Sequence, residues 1–254
     1  MRVVSCVPSL SELVEDLAPG SLCGRTRYCI APESLKKVPK IGGTKDLDTD
    51  GIIALRPNLL LAVKEENEKV QVEKINDAGI KTVVFDIRNL DDAIHMVREC
   101  GNLLENSGRA EEICSGMESI RLQKEFRGTV LYFIWQNPWM CAGKDTFIGS
   151  MLDNCGFVNL APEGNRYPVL HDIAEIEKLN PDYIFLSSEP FHFREKHRLF
   201  FANNFPDSMV VLVDGSLFSW YGVRTTQLPG YLKELNLRTA GPPKSSGGFF
   251  SGIS

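Results

Sequence analysis

The sequence predicts an α/β fold made of two similar lobes with one long helix between them. Three observations carry this. Short apolar runs alternate with helix-like stretches along most of the 254 residues, a grammar that implies parallel pairing. The stretch IIALRPNLLLAVKEE at 52–66 is echoed by IEKLNPDYIFLSSEP at 176–190. Each is a short helix, a Leu-x-Pro break and a buried strand ending in polar residues. Finally, SGRAEEICSGMESIRLQKEF at 107–126 places Ala110, Ile113, Met117 and Ile120 on one helical face, for a helix of about 18 residues or about 27 Å. The expected organisation is a first lobe at 1–106, a linking helix at 107–126 and a second lobe at 127–238. A Pro/Gly/Ser-rich tail at 239–254 is expected to be disordered.

The elements follow in order. RVVSCV (2–7) is a strand closed by Pro8, after which Ser9 offers an N-cap with Glu12 three residues on. NLLLAV (58–63) is a buried strand, and the helix-prone EENEKVQVEKINDAG stops at Gly79. KTVVFDI (81–87) is a strand, and Asp91 starts a helix running to about Leu104. In the second half, GTVLYFIW (128–135), DYIFLSS (182–188) and MVVLVD (209–214) are strands, and DTFIGSMLDNCG (145–156) is a helix ended by Gly156.

Composition narrows the function. Apolar content of 43% and charged content of 24% belong to an ordinary globular protein. A net charge of -5 argues against a nucleic-acid partner, which selects for a basic surplus. MRVVSCVPSLSEL lacks the basic and apolar regions of a secretory signal, and seven cysteines form no tight framework. Reduced thiols and cytoplasmic residence are expected, or a periplasmic one if the true start lies upstream.

Catalytic motifs mostly fail. Gly143-Lys144 resembles part of a phosphate loop, but Pro138 holds the place of its first glycine and Asp145 that of its Ser/Thr. EPFHFREKH (189–197) reads as an exposed polar loop rather than a metal site, because His192 and His197 are five apart and fall on different helix faces. No enzyme is expected and no cofactor is required.

Ligands of open α/β sheets sit beyond the carboxyl ends of the strands. That rule collects Ser9, then Lys64, Glu65, Glu66 and Asn67, then Trp135 and Trp139, then Ser188 and Glu189, then Phe218, Trp220, Tyr221 and Arg224. The loops at 25–29, 42–46 and 165–168 add Arg25, Arg27, Tyr28, Lys45, Arg166 and Tyr167. KEEN (64–67) reads equally well as a solvated helix start. Trp135, Trp139, Tyr167, Trp220 and Tyr221 would line one cleft between the lobes and stack on a ring-bearing ligand. Arg25, Arg27, Lys45, Lys64, Arg166 and Arg224 would meet its acidic groups.

RVVSCVPSLSEL, IGGTKDLDTDGIIALRPNLLLAV, AGIKTVVFDIRNLDDAI, YFIWQNPWMCAGKDTFIGSMLDNCGFVN and IEKLNPDYIFLSS together resemble the class III periplasmic binding proteins, in that family's order and over about residues 2–236. The flavour is that of the cobalamin-binding receptors and the signal-less helical-backbone metal receptors. The resemblance implies two Rossmann-like lobes on a rigid backbone helix, acting as a monomer. It also implies non-catalytic binding of a bulky metal chelate (a corrinoid, haem or ferric siderophore) in the inter-lobe cleft. A cytoplasmic enzyme using Lys64, Glu65, Glu66 and Glu189 is the alternative, as is an exported transport receptor. A partner ABC-importer permease would dock on a carboxylate of each lobe. The matching positions are near Glu68 or Lys69 and near Ser219, and Ser219 is not acidic.

Overall fold

The computed structural model describes residues 1–29, 32–122 and 124–237. The tail expected to be disordered, 239–254, lies outside them.

The first lobe is a sheet of four parallel strands in the order β2-β1-β3-β4. β1 (Val3–Ser5) leads into α1 (Pro8–Leu17), β2 (Leu22–Arg25) is followed after a long loop by α2 (Thr49–Ala54), and β3 (Leu59–Val63) by α3 (Lys69–Asp77). β4 (Lys81–Phe85) is followed by α4 (Leu90–Leu103). β3 is buried at all five positions, as an unbroken apolar run between two covered faces requires. The N-cap expected at Ser9 is not formed. Pro8 occupies the first helical turn and Val7 is the cap, because proline lacks only an N–H that has no helical partner there. Glu12 is thereby free of capping and pairs with Arg224 Nε at 2.9 Å.

α5 (Ser107–Leu122) carries the chain to the second sheet and buries Ala110, Ile113, Cys114, Met117 and Ile120. It lies against α4 at very short range: a Cβ on Gly101 would stand 2.3 Å from that of Ala110. Only glycine permits that approach.

β5 (Gly128–Trp135), β6 (Trp139–Cys141), α6 (Phe147–Asn154), β7 (Phe157–Asn159), β8 (Val169–Leu170) and α7 (Ile173–Leu179) open the second lobe. β9 (Tyr183–Ser187), α8 (Glu195–Asn204), β10 (Met209–Val213), α9 (Ser216–Ser219) and α10 (Leu228–Glu234) complete it. The sheet order is β10-β9-β5-β6-β8, with β7 beside the start of β5. β10, β9, β5 and β7 run parallel, while β6 is antiparallel to both of its neighbours, β5 and β8. The short strands β2, β6, β7 and β8 have no distinct sequence signal, being two to four residues long.

One apolar core reaches through both lobes. It joins Leu10, Leu13 and Val14 of α1 to Met117 and Ile120 of α5, and these to Phe218, Tyr221 and Leu228 from the end of the chain. The segment after β10 therefore packs back across the junction and adds to the link made by α5.

Candidate functional site

A cavity of about 750 Å³ opens between the lobes. Its wall is made by Pro8 and Ser9 after β1, Arg27 and Tyr28 after β2, and Glu65 and Glu66 after β3. From the other lobe come Ile134 at the end of β5, Glu189 and Pro190 after β9, and Ser219, Trp220 and Tyr221 after β10. The carboxyl ends of both sheets thus face one space. Of the residues selected from sequence, Ser9, Arg27, Tyr28, Glu65, Glu66, Tyr167, Glu189, Trp220 and Tyr221 line it.

The remaining candidates do other work. Arg25 is buried, and its guanidinium donates to the carbonyls of Leu35, Thr26 and Cys29 at 2.5, 3.0 and 3.0 Å. It holds the loop after β2 closed. Asn67 bridges Val63 N, Cys6 O and Thr44 O, a fully satisfied buried amide. Lys64 pairs with Asp86 at 2.8 Å and Lys45 reaches Glu65 O and Glu68, both outside the cavity wall. Ser188 Oγ accepts from Gly215 N. Phe218 is fully buried against Tyr132 and Phe185.

Trp139 packs among Phe133, Phe193, Phe200 and Phe201, since β6 turns it toward the outer face of its sheet. Trp135 is 41% exposed, against Phe191. Neither tryptophan reaches the cleft. The loop expected at 189–197 is a loop through Arg194, and its last three residues open α8. His197 is buried, and its Nδ1 accepts from Arg194 N at 2.8 Å as a helix-start bond.

The chemistry of the wall differs from expectation. Arg166 Nη2 donates to Glu65 Oε2 at 2.8 Å, and Tyr167 OH donates to Glu65 Oε1 at 2.7 Å, tying the lobes together. Arg27 pairs with Asp46 and lies over Tyr28. Arg224 stacks at 4.4 Å on Trp220 while donating to Glu12 and to Ser216 Oγ. The six cations expected to meet acidic ligand groups are therefore committed to protein acceptors.

What the cavity presents instead is acid. Burial, then the charges of Glu65 and Glu189, push the Glu66 carboxyl up to about 7, against the Tyr221 hydroxyl and Lys45. Burial also raises Glu189, opposed by hydrogen bonds from Ser219 Oγ at 2.5 Å and Trp220 Nε1 at 2.9 Å. Ser219 thus faces inward, so the second docking position is part of the cleft wall and not of an outer surface.

Thr44, Ile134, Phe147, Ile148 and Pro190 line the cavity without having been singled out from sequence, and Ser219, marked there only as a docking position, lines it too. A signal existed for Phe147 and Ile148, which open α6 directly after the Thr146 N-cap. Among the described residues no group of three His, Cys, Asp or Glu is placed to hold a metal ion, and no helix is long and apolar enough to cross a membrane.

Comparison with known proteins places this geometry. The model of the periplasmic binding protein family matches residues 3–204. The vitamin B12-binding protein of Salmonella paratyphi A is 24% identical over 166 residues, covering 63% of this chain and 62% of that relative. The chain thus matches about three-fifths of that relative's length. A periplasmic heme-binding protein from Pseudomonas aeruginosa superimposes with a TM-score of 0.77 at 22% identity, covering 95% of this chain and 94% of that one. The periplasmic vitamin B12 binding protein of Vibrio cholerae gives 0.77 at 17% identity, over 93% and 98%. At these identities the superpositions speak for the fold.

Proposed function

This chain belongs to the periplasmic binding protein family, and from that premise we propose that it binds, without chemical turnover, one bulky ring-bearing ligand of the corrinoid or haem class between its lobes. The observation that carries this is the cavity of about 750 Å³ walled by Tyr28, Phe147, Tyr167, Trp220 and Tyr221. That volume suits a large ligand, and ring faces from both lobes can sandwich a flat macrocycle. The named ligands of the relatives, vitamin B12 and heme, support the same size and shape class. The alternative of an enzyme loses its lysine, since Lys64 is turned onto Asp86 outside the cavity.

A permease partner belongs to this proposal, with the exposed Glu68 on the first lobe as one contact. Residence in a reducing compartment, which a content of seven cysteines favours, is the alternative to that partnership. The test is a titration of the purified protein with cyanocobalamin and with haemin, read by tryptophan quenching and ligand absorbance. Saturable binding of one of them at a stoichiometry near one is expected. Absence of saturation by either up to about 100 µM, a binding free energy weaker than about -5.5 kcal/mol, would refute the reading.

A further inference from the structure

Among the described residues, four side chains with formal charge face the cavity: Glu65, Glu66, Glu189 and Arg27. Two of them are already matched. Glu65 receives Arg166 and Tyr167, and Arg27 is held by Asp46. The balance left for a ligand is two carboxyl groups, one from each lobe. Among the described residues Glu66 accepts only from the Tyr221 hydroxyl, at a long 3.5 Å. Glu189 accepts both its hydrogen bonds on Oε1. No described residue donates to Oε2 of either.

Their placement is built into the backbone. A Cβ at position 215 would stand 2.7 Å from Glu189 Cγ and 2.2 Å from Ser187 Oγ. Glycine there leaves the room that lets Glu189 reach Ser219 and Trp220. Glu66 follows β3 at the turn whose other carboxylate, Glu65, ties the lobes together. Both acids are thus held by the frame around them, beside aromatic walls that limit access to water.

We propose that Glu66 and Glu189 select a ligand whose edge carries N–H donors or positive charge, and reject a ring of the same size edged with carboxylates. The inference rests on the reading of the cleft as a site for large ring-bearing ligands and names the edge chemistry it takes. A carboxylate is an acceptor with no proton to give. An amide or cationic edge would supply the donors that both Oε2 atoms lack. A ligand carboxylate would enter beside two acids, with the guanidiniums of Arg166 and Arg224 engaged by Glu65 and Glu12 and that of Arg27, which lines the cavity, drawn toward Asp46 through one of its nitrogens. Buried acceptors without donors, and like charges held close, both oppose binding.

The experiment uses two matched pairs of rings at pH 8: dicyanocobinamide against dicyanocobyrinic acid, and tetrakis(N-methylpyridyl)porphyrin against tetrakis(4-carboxyphenyl)porphyrin. Binding is followed by tryptophan quenching and by the ring absorbance. Within each pair that binds, the amide- or cation-edged member should bind at least about tenfold tighter. In the Glu66→Gln, Glu189→Gln double variant, shown folded by its urea transition, that preference should shrink below about threefold. Equal or tighter binding of the carboxylate-edged member to the unaltered protein overturns the inference and leaves the ring-binding reading standing. A preference unchanged in the double variant does the same. Failure of all four rings to bind overturns the ring-binding reading and this inference with it.

Discussion

Replacing Glu66 by glutamine should stabilise this protein above neutral pH and leave it unchanged in acid. In the folded chain the Glu66 carboxyl titrates at about 7 instead of its ordinary 4.5, mainly because it is removed from water and then because Glu65 and Glu189 stand near. Below 4.5 both the folded and unfolded chains hold the proton, and the site exacts no ionisation cost. As pH rises, the unfolded chain releases its proton first while the folded chain keeps it, so stability falls across the interval from 4.5 to about 7. Above that the full cost is present.

At about 1.4 kcal/mol per pH unit the interval corresponds to on the order of 3 kcal/mol. Glutamine keeps the shape and cannot ionise. Urea unfolding, followed by tryptophan fluorescence at pH 5 and pH 8, should therefore show a variant more stable by about 2–3 kcal/mol at pH 8 and by less than about 1 kcal/mol at pH 5. Relief of Glu189 acts in the same direction. Equal stabilities at pH 8, or the same difference at both pH values, would refute the reasoning, since neither can come from an ionisation confined to this interval.

Two further outcomes follow from the same geometry. Trp220→Ala should weaken ring binding by about 1–3 kcal/mol, whereas Phe218→Ala, two residues away in the core against Tyr132 and Phe185, should cost about 3–5 kcal/mol of folding stability; paired titration and urea unfolding check this, and a reversed pattern would contradict the placement of the two rings. Six cysteines are buried and Cys23 is partly exposed, so a thiol reagent should label Cys23 ahead of the other six in the native protein and all seven after unfolding; early labelling of Cys6 or Cys100, whose thiols burial pushes up, would contradict the packing.

Much of the architecture is readable in the order of residues because it depends on local periodicity. β5 occupies Gly128–Trp135 as its apolar run predicts, and the buried face of α5 contains Ala110, Ile113, Met117 and Ile120. The strand-end rule was sufficient to find Glu65, Glu66, Glu189, Trp220 and Tyr221, since the topology of parallel sheets brings those loops to one side. Within each loop it could not tell inward from outward. Arg25 and Arg27 are two residues apart, as are Phe218 and Trp220, yet one of each pair is structural and the other lines the cleft.

By itself, then, the sequence determined two α/β lobes, a helix between them and the set of loops that meet. Only the tertiary structure decided the charge of the site. Arg224 lies 212 residues from Glu12, and Arg166 lies 101 from Glu65. Which basic side chain neutralises which acid depends on how the two lobes close on each other, and no local pattern records that distance. Among the residues selected from sequence the cations Arg25, Arg27, Lys45, Lys64, Arg166 and Arg224 outnumber the acids Glu65, Glu66 and Glu189. Folding spends the cations on protein acceptors and leaves two carboxyl groups facing the space, because a guanidinium gains most where several carbonyl or carboxylate oxygens converge on it.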